Sequence, residues 1–243
     1  MSKLHLTAVN YLNTKPLLFG LQSAAISENI EIELAIPSQC AQQFAANKTD
    51  IVLLPTGALP QLSEYEIITD YCIGCEGAVK TVCVFSEVPI ENISHLYLDF
   101  HSRTSVELVK ILLREYWQLS PILLNTSSEK PFEIKGTHAA LVIGDKTMNL
   151  EAKYIYDLGE IWQQHTGLPF VFAVWVTRKS FDKQIIAALN AAFADGVNNI
   201  QSLMETTVNP YPNFDLQQYY TKYISYFLDD KKREALQLFL TKI

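Results

Sequence analysis

Positive charge is scarce in this chain. Its 243 residues carry 19 Lys and Arg against 26 Asp and Glu, a formal net charge of −7 with a pI near 5.2. That balance excludes the broad basic face a nucleic-acid surface needs, although local groups can still hold a small anion. Long apolar runs are missing too. No window approaches the ~18 charge-free apolar residues of a membrane span. The opening "MSKLHLTAVNYLNTKPL" has no basic region leading into an unbroken apolar stretch, so no signal peptide is expected. Cysteine is limited to Cys40, Cys72, Cys75 and Cys83. The "CIGC" at 72–75 is a single CxxC in an apolar run, with no second pair and no flanking histidine. It reads as buried reduced thiols, with the cytoplasm as the compartment, rather than a zinc or redox centre. The five histidines, His5, His95, His101, His138 and His165, show no metal-ligand spacing. Internal repeats and low-complexity segments are absent. "GCEGAVK" lacks the full dinucleotide-binding glycine pattern, and "SSEK" at 127–130 matches SxxK only at chance level. Neither a metal nor an organic cofactor is expected.

What is present is an alternation of strand-like and helix-like patches. "LHLTAV", "IEIELAI" and "DIVLLP" read as strands, and "TKPLLFGLQSA" and "SQCAQQFAANK" between them as helices. This βαβαβ order implies a parallel sheet with right-handed crossovers. A second set follows: "HLYLDF", the helix "SRTSVELVKILLREYW", "PILLN" and "AALVIG". A long extended run, "AVKTVCVFSEVPI", lies between the sets, a second, "PFVFAVWVTR" at 169–178, follows them, and the chain after it reads as helical. The expected architecture is α/β: two α/β lobes joined by two hinge strands, the plan of the type II periplasmic-binding-protein fold. Lobe one would hold 1–87 with 175–243, and lobe two 88–174, with the ligand cleft between them.

In that plan four strand-to-helix turns face one cleft: "NYLNTKP", "LPTGAL", "DFHSRTSVEL" and "VIGDKTM". Each is rich in hydroxyls, amides or glycine, and a helix N-terminus offers unpaired N–H groups and the positive end of its dipole to an anion. Thr104 with Glu107 fits a capping box, with Ser102, Arg103 and Ser105 around the same helix start. Arg103 can grip a carboxylate with two hydrogen bonds. Taken one at a time, such residues are ordinary helix caps; their recurrence in four converging turns favours a site. Asp145 fits either a general base or a cap. His101, just before the "SRTS" turn, is a further residue that can see the cleft.

These turns also carry a resemblance. "VNYLNTKPLLFGL" (9–21), "DIVLLPTGAL" (50–59), "GAVKTVCVFS" (77–86), "SRTSVELVKILL" (102–113), "ALVIGD" (140–145) and "YDLGEIWQQHTGLPFVFAVWV" (156–176) are similar to the MqnA family, chorismate dehydratases of the futalosine route to menaquinone. The resemblance implies the same two-lobed fold and the loss of water from chorismate, a dianion, without metal or organic cofactor. It implies catalytic roles for Asn13 and Thr81. Thr81 departs from the serine of many relatives, keeping the hydroxyl but adding a methyl and a stiffer χ1. Substrate contacts are expected from Thr14, Thr56, Gly57, Ser102, Arg103, Thr104, Ser105, Gly144 and Asp145. The partner expected is a small dianion, with no nucleic acid and no membrane span. The alternatives are dihydroxynaphthoate synthase, which shares the fold but has a different first turn, and a cytoplasmic small-anion binding protein of the same fold.

Overall fold

A computed structural model describes residues 3–99, 102–126 and 132–243; His101 and the "SSEK" stretch at 127–130 lie outside the described residues. In chain order the elements are β1 (Leu4–Val9), α1 (Lys15–Ser23), β2 (Ile30–Ala35), α2 (Pro37–Ala45), β3 (Ile51–Pro55), β4 (Glu66–Cys75), β5 (Val82–Ser86), β6 (His95–Leu98), α3 (Arg103–Leu112), β7 (Ile122–Asn125), β8 (His138–Ile143), β9 (Tyr154–Asp157), α4 (Leu158–Thr166), β10 (Phe170–Thr177), α5 (Lys183–Asn198), α6 (Ile200–Thr206), α7 (Leu216–Gln218), β11 (Ser225–Phe227) and α8 (Asp230–Lys242).

The strands form two sheets. The first has the order β11-β4-β10-β3-β1-β2 and the second β7-β6-β8-β5-β9. Pairing is parallel for β1 with β2 and β3, and for β6 with β7 and β8. These are the βαβ units expected from the strand–helix alternation. The strands next to the crossings run antiparallel: β10 lies between β3 and β4, and β5 between β8 and β9.

Hydrogen bonding moves the lobe boundaries from where sequence pattern places them. A break at 87/88 would leave β5 in lobe one, but β5 pairs wholly within the second sheet, so the first crossing is the segment 76–81. A break at 174/175 would split β10, which belongs entirely to the first sheet, so the chain returns through α4 and 167–169. Alternation along "VCVFS" shows why β5 fits there. Val82 and Val84 join the main core, while Cys83 and Phe85 face the other side among Ala140, Val142 and Tyr97.

The tail differs from expectation as well. "FDLQQYYTKYISYFL", which reads as helix, is the short α7, a wide π-type turn at Tyr219–Tyr223 and β11. Its aromatic and β-branched residues take an edge position beside β4 instead, where Ser225 faces Gly74 and Phe227 faces Tyr71. The four cysteines are free and buried. Cys72 and Cys75 lie three residues apart on β4, so they point to opposite faces. Among the described residues no helix is long and apolar enough to cross a membrane.

Helix α5 packs on α1 through two glycines. A Cβ on Gly20 would lie 1.8 Å from the Ala192 carbonyl oxygen, and one on Gly196 2.0 Å from that of Pro16. The neighbours are backbone and cannot yield. Alanine gains about 1 kcal/mol over glycine in a free helix, but here the clash dominates. Gly196→Ala is therefore expected to lower stability by about 1–3 kcal/mol, read as a lower urea midpoint with an unchanged m-value.

Candidate active site

The cleft between the sheets holds a cavity of about 60 Å³ and lies where the turns after β1 and β8 and the segment leading into β5 meet the start of α3. Its walls are apolar, with Val9, Ile73, Val79 and Phe172 among them. Its polar side chains are neutral: Tyr11, Asn13, Thr81, Ser102, Thr104 and Ser105.

The first turn brings in Asn13. Residues Leu12–Thr14 form one 3-10 turn that runs into α1, with Pro16 in its first turn. Thr14 makes no capping bond; it is buried and donates its hydroxyl to Asn13 Oδ1 at 3.2 Å. The carboxylate serving this helix start comes from the other lobe. Both Asp145 oxygens accept the Leu12 N–H at 3.1 Å, where the helix dipole favours negative charge. Desolvation nevertheless outweighs that bond and nearby Lys15, and pushes the Asp145 carboxyl up to about 6. Asp145 borders a neighbouring groove with Lys15, not the cleft. Beside it Gly144 adopts φ +73°, and the Tyr11 ring covers it so closely that a Cβ would lie 2.7 Å from the ring. Residues of the two lobes thus close over the cleft at this point.

Thr81 enters at the start of β5. Its hydroxyl lies 2.8 Å from the Tyr219 hydroxyl and 3.5 Å from the Val79 carbonyl oxygen, and its own carbonyl accepts the Gly144 N–H at 2.9 Å. Tyr219 is completely buried, and desolvation raises its phenol far above the ordinary range.

Helix α3 begins two residues earlier than the expected box. Ser102, extended at φ −129° and ψ 111°, is the cap, and its Oγ accepts the Ser105 N–H at 3.0 Å. Glu107 pairs with Lys110 instead. Ser102 also donates to the Ser105 hydroxyl at 2.9 Å, which leaves the Ser105 proton without an acceptor among the described residues. Thr104 is engaged elsewhere: its Oγ1 accepts the Gly57 N–H at 2.9 Å and donates to the Phe172 carbonyl at 3.2 Å. Thr56 donates to the Val171 carbonyl at 2.9 Å. Thr56, Gly57 and Thr104 together form a buried clasp between the lobes, and a Cβ on Gly57 would meet the Thr104 backbone at 2.8 Å.

Of the expected site residues, Asn13, Thr81, Ser102, Thr104, Ser105 and Gly144 line the cleft. Thr14, Thr56, Gly57 and Asp145 support it from outside. Arg103 is exposed, hydrogen-bonds Gln61 and borders a separate groove. Two residues of the site, Tyr11 and Tyr219, escape sequence reasoning. Tyr11 stands within the polar first turn itself, whereas nothing local in "LQQYYTKY" marks Tyr219. Among the described residues no three His, Cys, Asp or Glu side chains gather as a metal site.

A family model described as "Menaquinone biosynthesis" matches residues 4–243. The chain belongs to this menaquinone-biosynthesis family. A relative from Thermus thermophilus, named chorismate dehydratase, is 24% identical over 257 residues, covering 94% of this chain and 91% of that protein. The resemblance read from the sequence is thereby borne out. Among solved structures, protein AF1704 from Archaeoglobus fulgidus superposes with a TM-score of 0.75 at 12% identity, covering 99% of this chain and 96% of that one. The Candida albicans CA3427 gene product, described as having the generic periplasmic-binding-protein fold, gives 0.59 at 10% identity over 99% and 91%. These structural matches establish the fold, which agrees with the two-lobed plan.

The Asp145 latch carries a pH signature. Its folded value of about 6 lies above the ordinary 3.8, so the folded state holds more protons between those limits and stability falls as pH rises through them. Asp145→Asn keeps an oxygen for the Leu12 N–H and cannot ionise. Chemical unfolding at several pH values is expected to show wild type losing stability relative to Asp145→Asn as pH rises from about 4 to about 6, with no further divergence above it.

Proposed function

We propose that this protein is a chorismate dehydratase, a hydro-lyase that removes water from chorismate to give 3-[(1-carboxyvinyl)oxy]benzoate in the futalosine route to menaquinone. The observation that carries the reading is that Asn13, on the turn after β1, and Thr81, on the crossing that leads into β5, reach one cleft with apolar walls and neutral donors.

The reaction breaks the C3–H and C4–O bonds of chorismate. The C3 proton goes to a base, the C4 hydroxyl leaves with a proton as water, and the ring becomes aromatic. The apolar walls suit the flat ring. One carboxylate fits the start of α3, where the helix dipole and the uncommitted Ser105 proton favour an anion. Neutral donors suffice because the cleft keeps them desolvated, where a hydrogen bond to a charged group is worth more than in water. Asn13 has no basic lone pair, so its role is to hold the departing hydroxyl by hydrogen bonding. The Thr81 hydroxyl stands close enough to share that task. Preorganised donors of this kind are each worth about 10²–10³-fold in rate. Of the bases open at the sequence level, Asp145 is turned to Leu12 and away from the cleft. A substrate carboxylate or a water is the better candidate for the C3 proton.

Incubation of the purified protein with chorismate, followed by mass spectrometry, tests the reading directly. The expected product has lost one water and absorbs as a benzoate; unchanged chorismate overturns the proposal. Asn13→Ala is expected to lower kcat about 10²-fold or more, and near-wild-type turnover would reduce Asn13 to a structural role. Ser105→Ala is expected to raise KM, whereas Arg103→Ala, whose side chain faces another groove, should leave kcat/KM within about twofold, a difference of only ~0.4 kcal/mol.

A further inference from the structure

Tyr219 is a fully buried phenol whose hydroxyl lies 2.8 Å from that of Thr81, one of the side chains assigned to the chemistry, while lying outside the cleft itself. A tyrosine placed only to fill space would leave its oxygen unused or give it to backbone. Tyr220 and Tyr226 do nearly this: each has a buried hydroxyl without a partner among the described residues. The Tyr219 ring packs edge-on against Phe214 at 5.4 Å and beside Tyr220 at 5.8 Å, so its direction is fixed by neighbours from its own tail segment.

Counting donors gives the network a direction. Thr14 donates to Asn13 Oδ1, so the Asn13 amide keeps its NH₂ group for the cleft. A phenol is a better hydrogen-bond donor than an aliphatic alcohol, so the Tyr219 proton goes to Thr81 Oγ1, 2.8 Å away. With its lone pair engaged, the Thr81 hydroxyl has its proton free. The Val79 carbonyl at 3.5 Å is a weak competitor, so the cleft is the better direction. Asn13 and Thr81 then both face the cleft as donors, the polarity an anionic substrate and a departing hydroxyl need. Burial keeps the phenol protonated, so the order does not reverse at neutral pH.

We propose that Tyr219 is a positioning residue that sets Thr81 as a donor toward the cleft, through the hydrogen bond between their hydroxyls. For its kinetic consequences this rests on the dehydratase reading above.

Tyr219→Phe keeps the ring and removes only the oxygen. The expected result is a fall in kcat of about 10-fold or more with KM within about threefold, and an unfolding midpoint near that of wild type. In a Thr81→Val background the same change should cost clearly less, because the hydroxyl it positions is already gone. Full multiplication of the two losses, or wild-type kcat in Tyr219→Phe, overturns the proposal. A crystal structure of Tyr219→Phe supplies a readout independent of turnover. Thr81 Oγ1 is expected to leave its wild-type position, and an unmoved Thr81 also overturns the proposal. If wild type fails to consume chorismate, the dehydratase reading falls by itself, and the comparison of Thr81 positions still decides whether Tyr219 positions it.

Discussion

The Asp157 carboxylate joins the two passages between the lobes. It accepts the Val79 N–H at 3.0 and 3.1 Å and the Lys80 N–H at 2.7 Å, both on the outward crossing, and the Gly159 and Glu160 N–H groups at the start of α4 on the return. Burial pushes this carboxyl up, and the four N–H donors and the dipole of α4 pull it back. Two residues beyond Val79 stands Thr81, so the same carboxylate that caps α4 holds the segment that delivers a hydroxyl to the cleft. Gly159 permits the approach: a Cβ there would lie 2.6 Å from both Cys75 Sγ and the Gly77 carbonyl. Removing one partner of such a buried network leaves several amides unpaired, which costs far more than the loss of one surface bond.

Around that hinge the polar turns divide their labour. Some hydroxyls close the molecule: Thr104 and Thr56 give their protons to β10 carbonyls, and Thr104 also takes the Gly57 N–H. Others stay open to the cleft, namely those of Thr81 and Ser105. Asp145 and the Tyr11–Gly144 contact latch the opposite rim, and Lys242 near the C-terminus reaches Glu115 beyond α3 at 2.6 Å. An anion in this cleft would be met by aimed dipoles rather than by cations, in keeping with a chain that carries more acidic than basic residues.

Strands with a clear period are legible in the residues themselves. "IEIELAI" and "DIVLLP" form β2 and β3, and the "YDLGEIWQQHTGLPFVFAVWV" block supplies Asp157, α4 and β10, the whole return passage. The boundaries are less legible, because an extended run such as "AVKTVCVFS" has no local mark for where it leaves one sheet and joins the next. Only the pairing of β5 with β8 and β9 settles that. The tail hides its strand for a similar reason. β11 is three residues long and exists because β4 offers an edge.

What the sequence determined by itself was local: the alternation of strands and helices, a supply of capping residues at their junctions, and the charge balance. Those follow from side-chain period, backbone preference and composition, which need no partner. The tertiary structure decided which caps became clasps and which faced the cleft. Ser102 and Thr104 are near neighbours with similar hydroxyls, yet one caps α3 while the other is committed to Gly57 and Phe172. Tyr219 shows the same division most sharply. It lies 138 residues from Thr81, and only the packing of the tail beside the outward crossing brings their hydroxyls together.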